Sequence, residues 1–444
     1  MRKSLLATLI ACGFLSANAQ AIDLLQVYRE AQANDAVIAS ARANLAAGVE
    51  KLPQARAGLL PTIGLGGSYN RTSLDASQLG IDAHNNYSAN TFAVSLTQPL
   101  FRRANWEQYQ QGKLLVEASE AQFSQAKQDL IVRVAQAYFD VLAAQDALAT
   151  VGTQKIAITE QLASAKRNFE VGTATVTDTH EAQARYDLAV AQEFAGQNDL
   201  AIKLTALEQI IGKPSGELAT LRPGVQLTPP QPAQIDKWVS GAETQNYGVI
   251  GQQLALEIAR REIRKSRAGH MPTLDLVASR NHTNQTGSVQ STVGSTANAN
   301  TVGVQWAVPL FAGFAIDSKV RESIALEEKA RFDLENARRS AAQSARQSFL
   351  SVNNGLAQVK ALEAAEVSSQ SALDSNRLGY QVGVRINIDV LNAQQQLFTT
   401  RRDLARARYD TILNGLRLQS AAGILTEEEL ARVNALLVDR STVK

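Results

Sequence analysis

Four histidines, His84, His180, His270 and His282, are the side chains of this chain best suited to ligate a metal or pass a proton near neutral pH. They are scattered, and none has a ligand partner at a useful spacing. The sequence contains no Gly-x-Ser-x-Gly, no phosphate-cradling glycine loop and no His-Glu-x-x-His. Asn281-His282-Thr283 and Asn284-Gln285-Thr286 match a glycosylation sequon, a short pattern that Asn/Thr-rich loops produce by chance. The carboxylates lie along stretches of helical period, where solvated faces and i,i+4 pairs account for them. No catalytic residue, metal site or cofactor is expected, and the chain is not expected to be an enzyme.

The residues that do carry a pattern occur twice. "VGTATVTDTHEAQARYD" begins at Val171 and "VGVRINIDVLNAQQQLF" at Val382. Gly172 pairs with Gly383, Asp178 with Asp389, Ala182 with Ala393 and Gln183 with Gln394, each 211 residues apart. Both stretches suit a helix-turn-helix. Gly172 and Gly383 fit helix C-termini, while Thr177, Asp178 or Asn387 fit the start of the next helix. The offset recurs elsewhere. Arg56-Ala57-Gly58 and Pro61-Thr62 return as Arg267-Ala268-Gly269 and Pro272-Thr273, again 211 apart; Pro99-Leu100-Phe101 returns as Pro309-Leu310-Phe311 at 210. A fixed period in so many places marks an internal duplication.

The elements that position these motifs follow from the prolines. None of the ten lies between Arg102 and Lys213 or after Pro309. Because an interior proline costs a helix about 3 kcal/mol, these tracts can hold very long helices. Leu130, Val134, Ala137, Val141, Ala144, Leu148 and Val151 form a heptad seam. Ile131, Ala135, Tyr138 and Leu142 form a second apolar stripe, and Ala345, Phe349, Val352, Leu356 and Val359 repeat the theme. A helix from Arg102 to about Glu170 would be roughly 100 Å long, which favours a long coiled-coil structure over an ordinary bundle.

Between these tracts the period changes to two. "TFAVSLTQPLF" and "TVGVQWAVPLF" are one-face-apolar runs of 11 residues, the length that crosses a bilayer when tilted. Weaker partners precede them at residues 62–71 and 273–281, each joined by a Ser/Thr/Asn/Gly-rich segment suited to an extracellular loop. Four such strands cannot close a barrel, so several copies of the chain must contribute.

The first residues have the plan of a secretory signal: Arg2 and Lys3, an apolar core from Leu5 to Leu15, and cleavage at Ala17-Asn18-Ala19 or Ala19-Gln20-Ala21. The alternative is a lipoprotein box ending at Cys12, the sole cysteine. Cleavage after Ala19 or Ala21 leaves no thiol, so stability must come from packing. After residue 21 no run of 18 apolar residues occurs, so no helix is expected to span a bilayer. With 44 basic and 42 acidic residues, the chain is not built for a nucleic-acid partner.

The whole arrangement resembles the TolC family of outer-membrane channel-tunnel proteins. The resemblance rests on the paired Arg-Ala-Gly…Pro-Thr and Pro-Leu-Phe junctions, the paired turns, and above all "GYQVGVRINIDVLNAQQQLFTTRRDLARARYDTILNGLRLQSAAGIL". It implies an α+β membrane protein: a homotrimer whose protomers each give four strands to one 12-stranded outer-membrane β-barrel and long helices to an α-helical coiled-coil barrel, the periplasmic tunnel. The expected organisation is a signal peptide at 1–21, repeats at 22–215 and 235–424, a connector at 216–234 and a C-terminal equatorial segment at 425–444. It implies a passive exit duct for drug efflux or type I secretion in a Gram-negative bacterium. Its partners would be a periplasmic adaptor, an inner-membrane ABC or proton-driven transporter, and outer-membrane lipid. It also implies a periplasmic gate in which Thr177 and Asp178 bond Arg385 and Tyr380, with Asp389 ringing the constriction; Asn392 stands where some relatives carry a second Asp. A periplasmic coiled-coil adaptor is the alternative, and it would lack the four alternating strands.

Overall fold

The computed structural model describes residues 21–78, 81–288, 291 and 293–438; the expected signal segment lies outside them except for Ala21. Three helices lead: α1 (Leu24–Asn34), α2 (Ala36–Val49) and α3 (Lys51–Ala57). Strands β1 (Thr62–Gln78) and β2 (Ile81–Phe101) follow, then α4 (Arg103–Glu170) and α5 (Val176–Ile211). After a short strand β3 (Thr220–Leu221) the order repeats: α6 (Ile235–Gln245), α7 (Tyr247–Arg267), β4 (Thr273–Gln285), β5 (Ser295–Ala307), α8 (Ala315–Gln381) and α9 (Asn387–Ala421). Helix α10 (Glu427–Asn434) and strand β6 (Leu437–Val438) close the described chain. The 68 residues of α4 and the 67 of α8 occupy the proline-free tracts, where no ring interrupts the hydrogen-bond ladder.

The chain forms two compact units. The unit of Ala41–Gln125 and Glu243–Ala341 contains an antiparallel sheet of order β1-β2-β4-β5. Its register sorts the two faces. One row runs Ile63, Leu96, Ala278, Val302 across all four strands, and the row beside it runs Gly64, Ser95, Ser279, Thr301. One face is therefore apolar and the other small and polar. The apolar face is bare: Leu65 is 80% exposed, Val302 77% and Trp306 71%. In water such a face is a liability; against lipid it is the expected surface of a membrane barrel.

The strands differ from expectation at both ends. β1 and β2 run on through residues 72–78 and 81–90, polar sequence that alternation alone places in a loop. Ser, Thr and Asn can extend a ladder through their backbone once the register is set below them. β5 ends at Ala307 rather than continuing to Phe311. Pro309 has no N–H to donate, and Gly313 and Phe314 both adopt positive φ, which turns the chain directly into α8.

Below the strands, in the same unit, Arg102 Nε and Nη2 donate to the two carboxylate oxygens of Asp275 at 2.8 and 2.6 Å. Glu107 is fully buried, with Arg103 at 2.6 Å and Arg261 at 3.2 Å. A carboxylate out of water requires such partners.

The second unit holds the residues up to Ser40, Ala126–Ala242, and from Ala342 on. Here both stripes of α4 are used. Leu130, Val134, Ala137, Val141 and Ala144 are buried, and so are Ile131, Ala135, Tyr138 and Leu142. Tyr138 donates its hydroxyl to the carbonyls of Ala219 at 2.7 Å and Ile22 at 3.2 Å, tying the helix to the start of the described chain and to the connector. Ile22 bridges Leu218, and β3 pairs with β6, so three distant segments meet at one place.

Asp35 caps α2 through the amide of Ile38 at 3.0 Å and receives Arg133 at 2.7 Å. Burial pushes its carboxyl up, but the hydrogen bonds and charge of Arg133 and the amides of Ile38 and Val37 outweigh this, so its pKa lies below the ordinary value. Such a carboxylate contributes stability above its unfolded pKa and loses it as pH falls through the folded one. Arg133→Ala strands the buried carboxylate and is expected to cost about 1–3 kcal/mol. The thermal midpoint should drop at pH 7, and the gap to wild type should narrow only as pH falls through the lowered folded pKa of Asp35, beneath which the carboxyl is neutral in both.

Candidate functional site: the paired helix tips

Both helix-turn-helix tips lie in the second unit, and both are built on the same backbone turn. At the end of α4, Gly172 N–H donates to the Phe169 carbonyl at 3.0 Å and Thr173 N–H to the Asn168 carbonyl at 2.8 Å. At the end of α8, Gly383 N–H donates to Tyr380 at 3.2 Å and Val384 N–H to Gly379 at 2.9 Å. These paired bonds are the Schellman pattern, and it requires a left-handed residue at its centre. Gly172 has φ +75° and Gly383 φ +81°, a region that costs a residue with Cβ about 1–2 kcal/mol. The duplicated Val-Gly thus has a backbone cause.

The start of the next helix is where the tips diverge. Thr175 is the N-cap of α5, and its hydroxyl accepts from the Asp178 amide at 3.3 Å while Asp178 Oδ2 accepts from the Thr175 amide at 2.9 Å. This is a capping box. The sequence points to Thr177 or Asp178 as the cap, but the backbone geometry places it at Thr175, with Asp178 as its reciprocal partner and Thr177 exposed beside it. At the second tip the corresponding position is Ile386, which offers no capping oxygen. Asn387 is instead buried inside the first turn, where its side-chain oxygen accepts from Gln161 of α4.

Cross-links between the tips involve residues that sequence reasoning did not single out. The Tyr380 hydroxyl accepts from Asn168 Nδ2 at 3.1 Å. Arg185 of α5 donates to Asn392 Oδ1 at 3.0 Å, and Gln154 donates to Gln395 at 2.6 Å. Beneath them Ile158, Ala189 and Leu391 pack with Tyr186 and Ile388, and Leu373, Val390 and Leu397 pack with Tyr380. Arg385, in the turn before α9, stands 3.7 Å from Asp389 in the first turn of that helix, and its side chain is mostly exposed. Within one protomer, then, Asp178 bonds Thr175 and Arg385 faces Asp389. The two are not brought together, and each keeps bonding capacity to spare. Asp178 Oδ1 accepts no hydrogen bond among the described residues, and a carboxylate has about four lone-pair sites.

A signal for Asn168 and Arg185 was present only as a difference. Their counterparts at the 211-residue offset are Gly379 and Gln396, so neither belongs to the duplicated pattern.

A family model described as outer membrane efflux protein matches residues 27–213 and 238–424. Outer membrane protein TolC of Escherichia coli (strain K12) is 33% identical over 446 residues, covering 98% of this chain and 89% of that protein. Proteases secretion protein PrtF of Dickeya chrysanthemi is 31% identical over 442 residues, covering 98% of this chain and 95% of its own length. The crystal structure of the outer membrane protein VceC from Vibrio cholerae superposes with a TM-score of 0.78 at 19% identity, covering 90% of this chain and 96% of that one. At that identity the likeness establishes the fold.

Gly172→Ala and Gly383→Ala are each expected to destabilise one tip by about 1–2 kcal/mol without unfolding the sheet unit. Hydrogen exchange should quicken roughly tenfold at amides of the turn and first helical turn, with the exchange of β1–β5 amides unchanged.

Proposed function

The chain belongs to the outer membrane efflux protein family, and from that premise we propose that three copies assemble into one gated exit duct. The protein is an outer-membrane channel of the efflux and type I secretion class, extending into the periplasm. The adaptor alternative gains no support from these relatives.

The observation that carries the trimer is the four-stranded sheet with two free edges and one bare apolar face. Lipid cannot satisfy the edge N–H and C=O groups. Three copies give twelve strands and a closed cylinder, its apolar rows turned to lipid and its Gly/Ser/Thr rows to a wet interior. The partners we infer are a periplasmic adaptor and an inner-membrane ABC or proton-driven transporter, which would supply the energy for a passive duct.

The gate is proposed at the tips, with Thr177 and Asp178 of one tip facing Tyr380 and Arg385 of another in the closed ring. Capping and gating are compatible there, since Asp178 caps through Oδ2 and retains Oδ1 for a guanidinium. The three copies of Asp389 are proposed to ring the constriction, where a low-dielectric passage focuses their field on cations.

Native mass measurement in detergent should return a trimer, and a monomer with full strand content would contradict the assembly. Asp178→Asn separates the gate from the cap, because the amide oxygen can still accept the Thr175 amide while the charge is gone. Single-channel conductance in planar bilayers should rise in this variant and rise further with Arg385→Ala; an unchanged conductance assigns Asp178 to capping alone. Block by trivalent cations from the periplasmic side should largely vanish in Asp389→Ala. In Asn392→Asp it should strengthen only modestly, because Arg185 already sits on that side chain and would neutralise part of the added charge.

A further inference from the structure

The membrane-proximal end of the sheet unit carries a repeated pair of arginines that the duct's gating and assembly leave unused. Arg56 lies in the last turn of α3 and Arg267 in the last turn of α7. Each precedes by six residues the first residue of a strand, Thr62 of β1 and Thr273 of β4. Both are exposed, and among the described residues neither makes an ion pair or hydrogen bond through its side chain.

Three carboxylates of the same unit are held by other side chains. Asp275 is matched to Arg102, Glu107 to Arg103 and Arg261, and Asp317 to His270. None of these three carboxylates pairs with Arg56 or Arg267. The placement of both helix ends is fixed. Gln98, on the apolar face of β2 with Leu96, donates to the Leu59 carbonyl at 3.0 Å. Ile316 at the start of α8 packs against Gly269, and His270 stands 3.6 Å from Asp317. The chain just after each arginine is thus tied to the lower border of the strands that carry the bare apolar face.

A second observation marks that border. Phe311 and Phe314 form an edge-to-face pair at 5.4 Å while remaining 76% and 69% exposed. Phe314 is the one residue other than glycine with positive φ among those described, at 62°. A left-handed phenylalanine costs about 1–3 kcal/mol, and here it holds two rings in the open. Exposed rings just past the strand end are the kind of amphipathic border at which a sheet leaves lipid.

We propose that Arg56 and Arg267 bind the phosphates of anionic phospholipids at the periplasmic face of the outer membrane, as a twice-repeated site seated beneath the aromatic border. This rests on the outer-membrane reading above. Arg suits the role because its planar fork grips a phosphate with two parallel bonds while its stem lies along apolar surface. Cations at a helix C-terminus are favourable without any lipid, so stability alone does not test the site.

The test titrates phosphatidylglycerol, phosphatidylcholine or inorganic phosphate onto the detergent-purified oligomer and counts bound lipid by native mass spectrometry. Wild type should prefer phosphatidylglycerol. Arg56→Gln or Arg267→Gln should each weaken binding about fivefold at its own copy of the site and the double variant about fivefold at both, while Arg56→Lys with Arg267→Lys should retain most of it. Superposed titrations for wild type and the double Gln variant would overturn the site, as would displacement of the lipid by millimolar inorganic phosphate. If the Gln variants fail to assemble, wild type decides the matter: a preference for phosphatidylglycerol that persists in 1 M salt would also overturn it. Conductance in planar bilayers separates the two readings. A conducting double variant with unmoved lipid binding sinks the lipid site alone, whereas a wild type that never conducts sinks the channel.

Discussion

Everything in this fold answers to one constraint: inside hydrocarbon, a backbone N–H or C=O without a partner costs several kcal/mol. The sheet satisfies its own interior ladders, from β1 through β2 and β4 to β5, and leaves two edges unpaired. The edge strands β1 and β5 have 17 and 13 residues, so each edge is a long row of unmet bonds. The row Gly64, Ser95, Ser279, Thr301 cannot face lipid, and the row Ile63, Leu96, Ala278, Val302 cannot face water. Edge and face together ask for closure with further copies of the same sheet. Closing the strands into a ring also gathers the helix starts that follow them in the chain.

Duplication supplies the two halves of each protomer with the same backbone and frees their side chains to differ. The Schellman turns at Gly172 and Gly383 match bond for bond. The caps that follow do not: Thr175 and Asp178 close the first helix start, and Ile386 leaves the second open. The strand-to-helix junctions show the same divergence. Arg102 clamps Asp275 after β2, whereas the chain after β5 turns through Gly313 and Phe314. One half is rigidly self-satisfied at both ends. The other carries the exposed Arg385 at its tip and the exposed aromatic pair at its membrane border.

Much of this was legible in the residues. The helix expected from Arg102 to about Glu170 is found from Arg103 to Glu170, because proline absence and heptad spacing are both properties of the local chain. The lower halves of the strands were legible because the bilayer forces alternation on them. Residues 72–78 and 81–90 were not, since too few apolar side chains lie along their ladder to impose a period. At the tips, Thr177 and Asp178 looked like the caps, and only φ and ψ move the N-cap back to Thr175. Asn168 and Arg185 were invisible for a different reason. They bond across helices that are far apart in sequence, through hydrogen bonds that leave no periodic trace.

The central claim is that the free edges of β1 and β5 meet between protomers. Cysteine pairing tests it directly, because Cys12 is the only cysteine and lies in the expected leader. Single cysteines stepped along β1 from Gly64 to Asn70 would be combined in one chain with single cysteines stepped along β5 from Ala297 to Val304, and oxidised in outer membranes. At the matching register, denaturing gels should show covalent dimers and then trimers, with partners two residues out of step much weaker. Crosslinks confined within single chains, or none at any register in protein that conducts, would contradict closure by these edges.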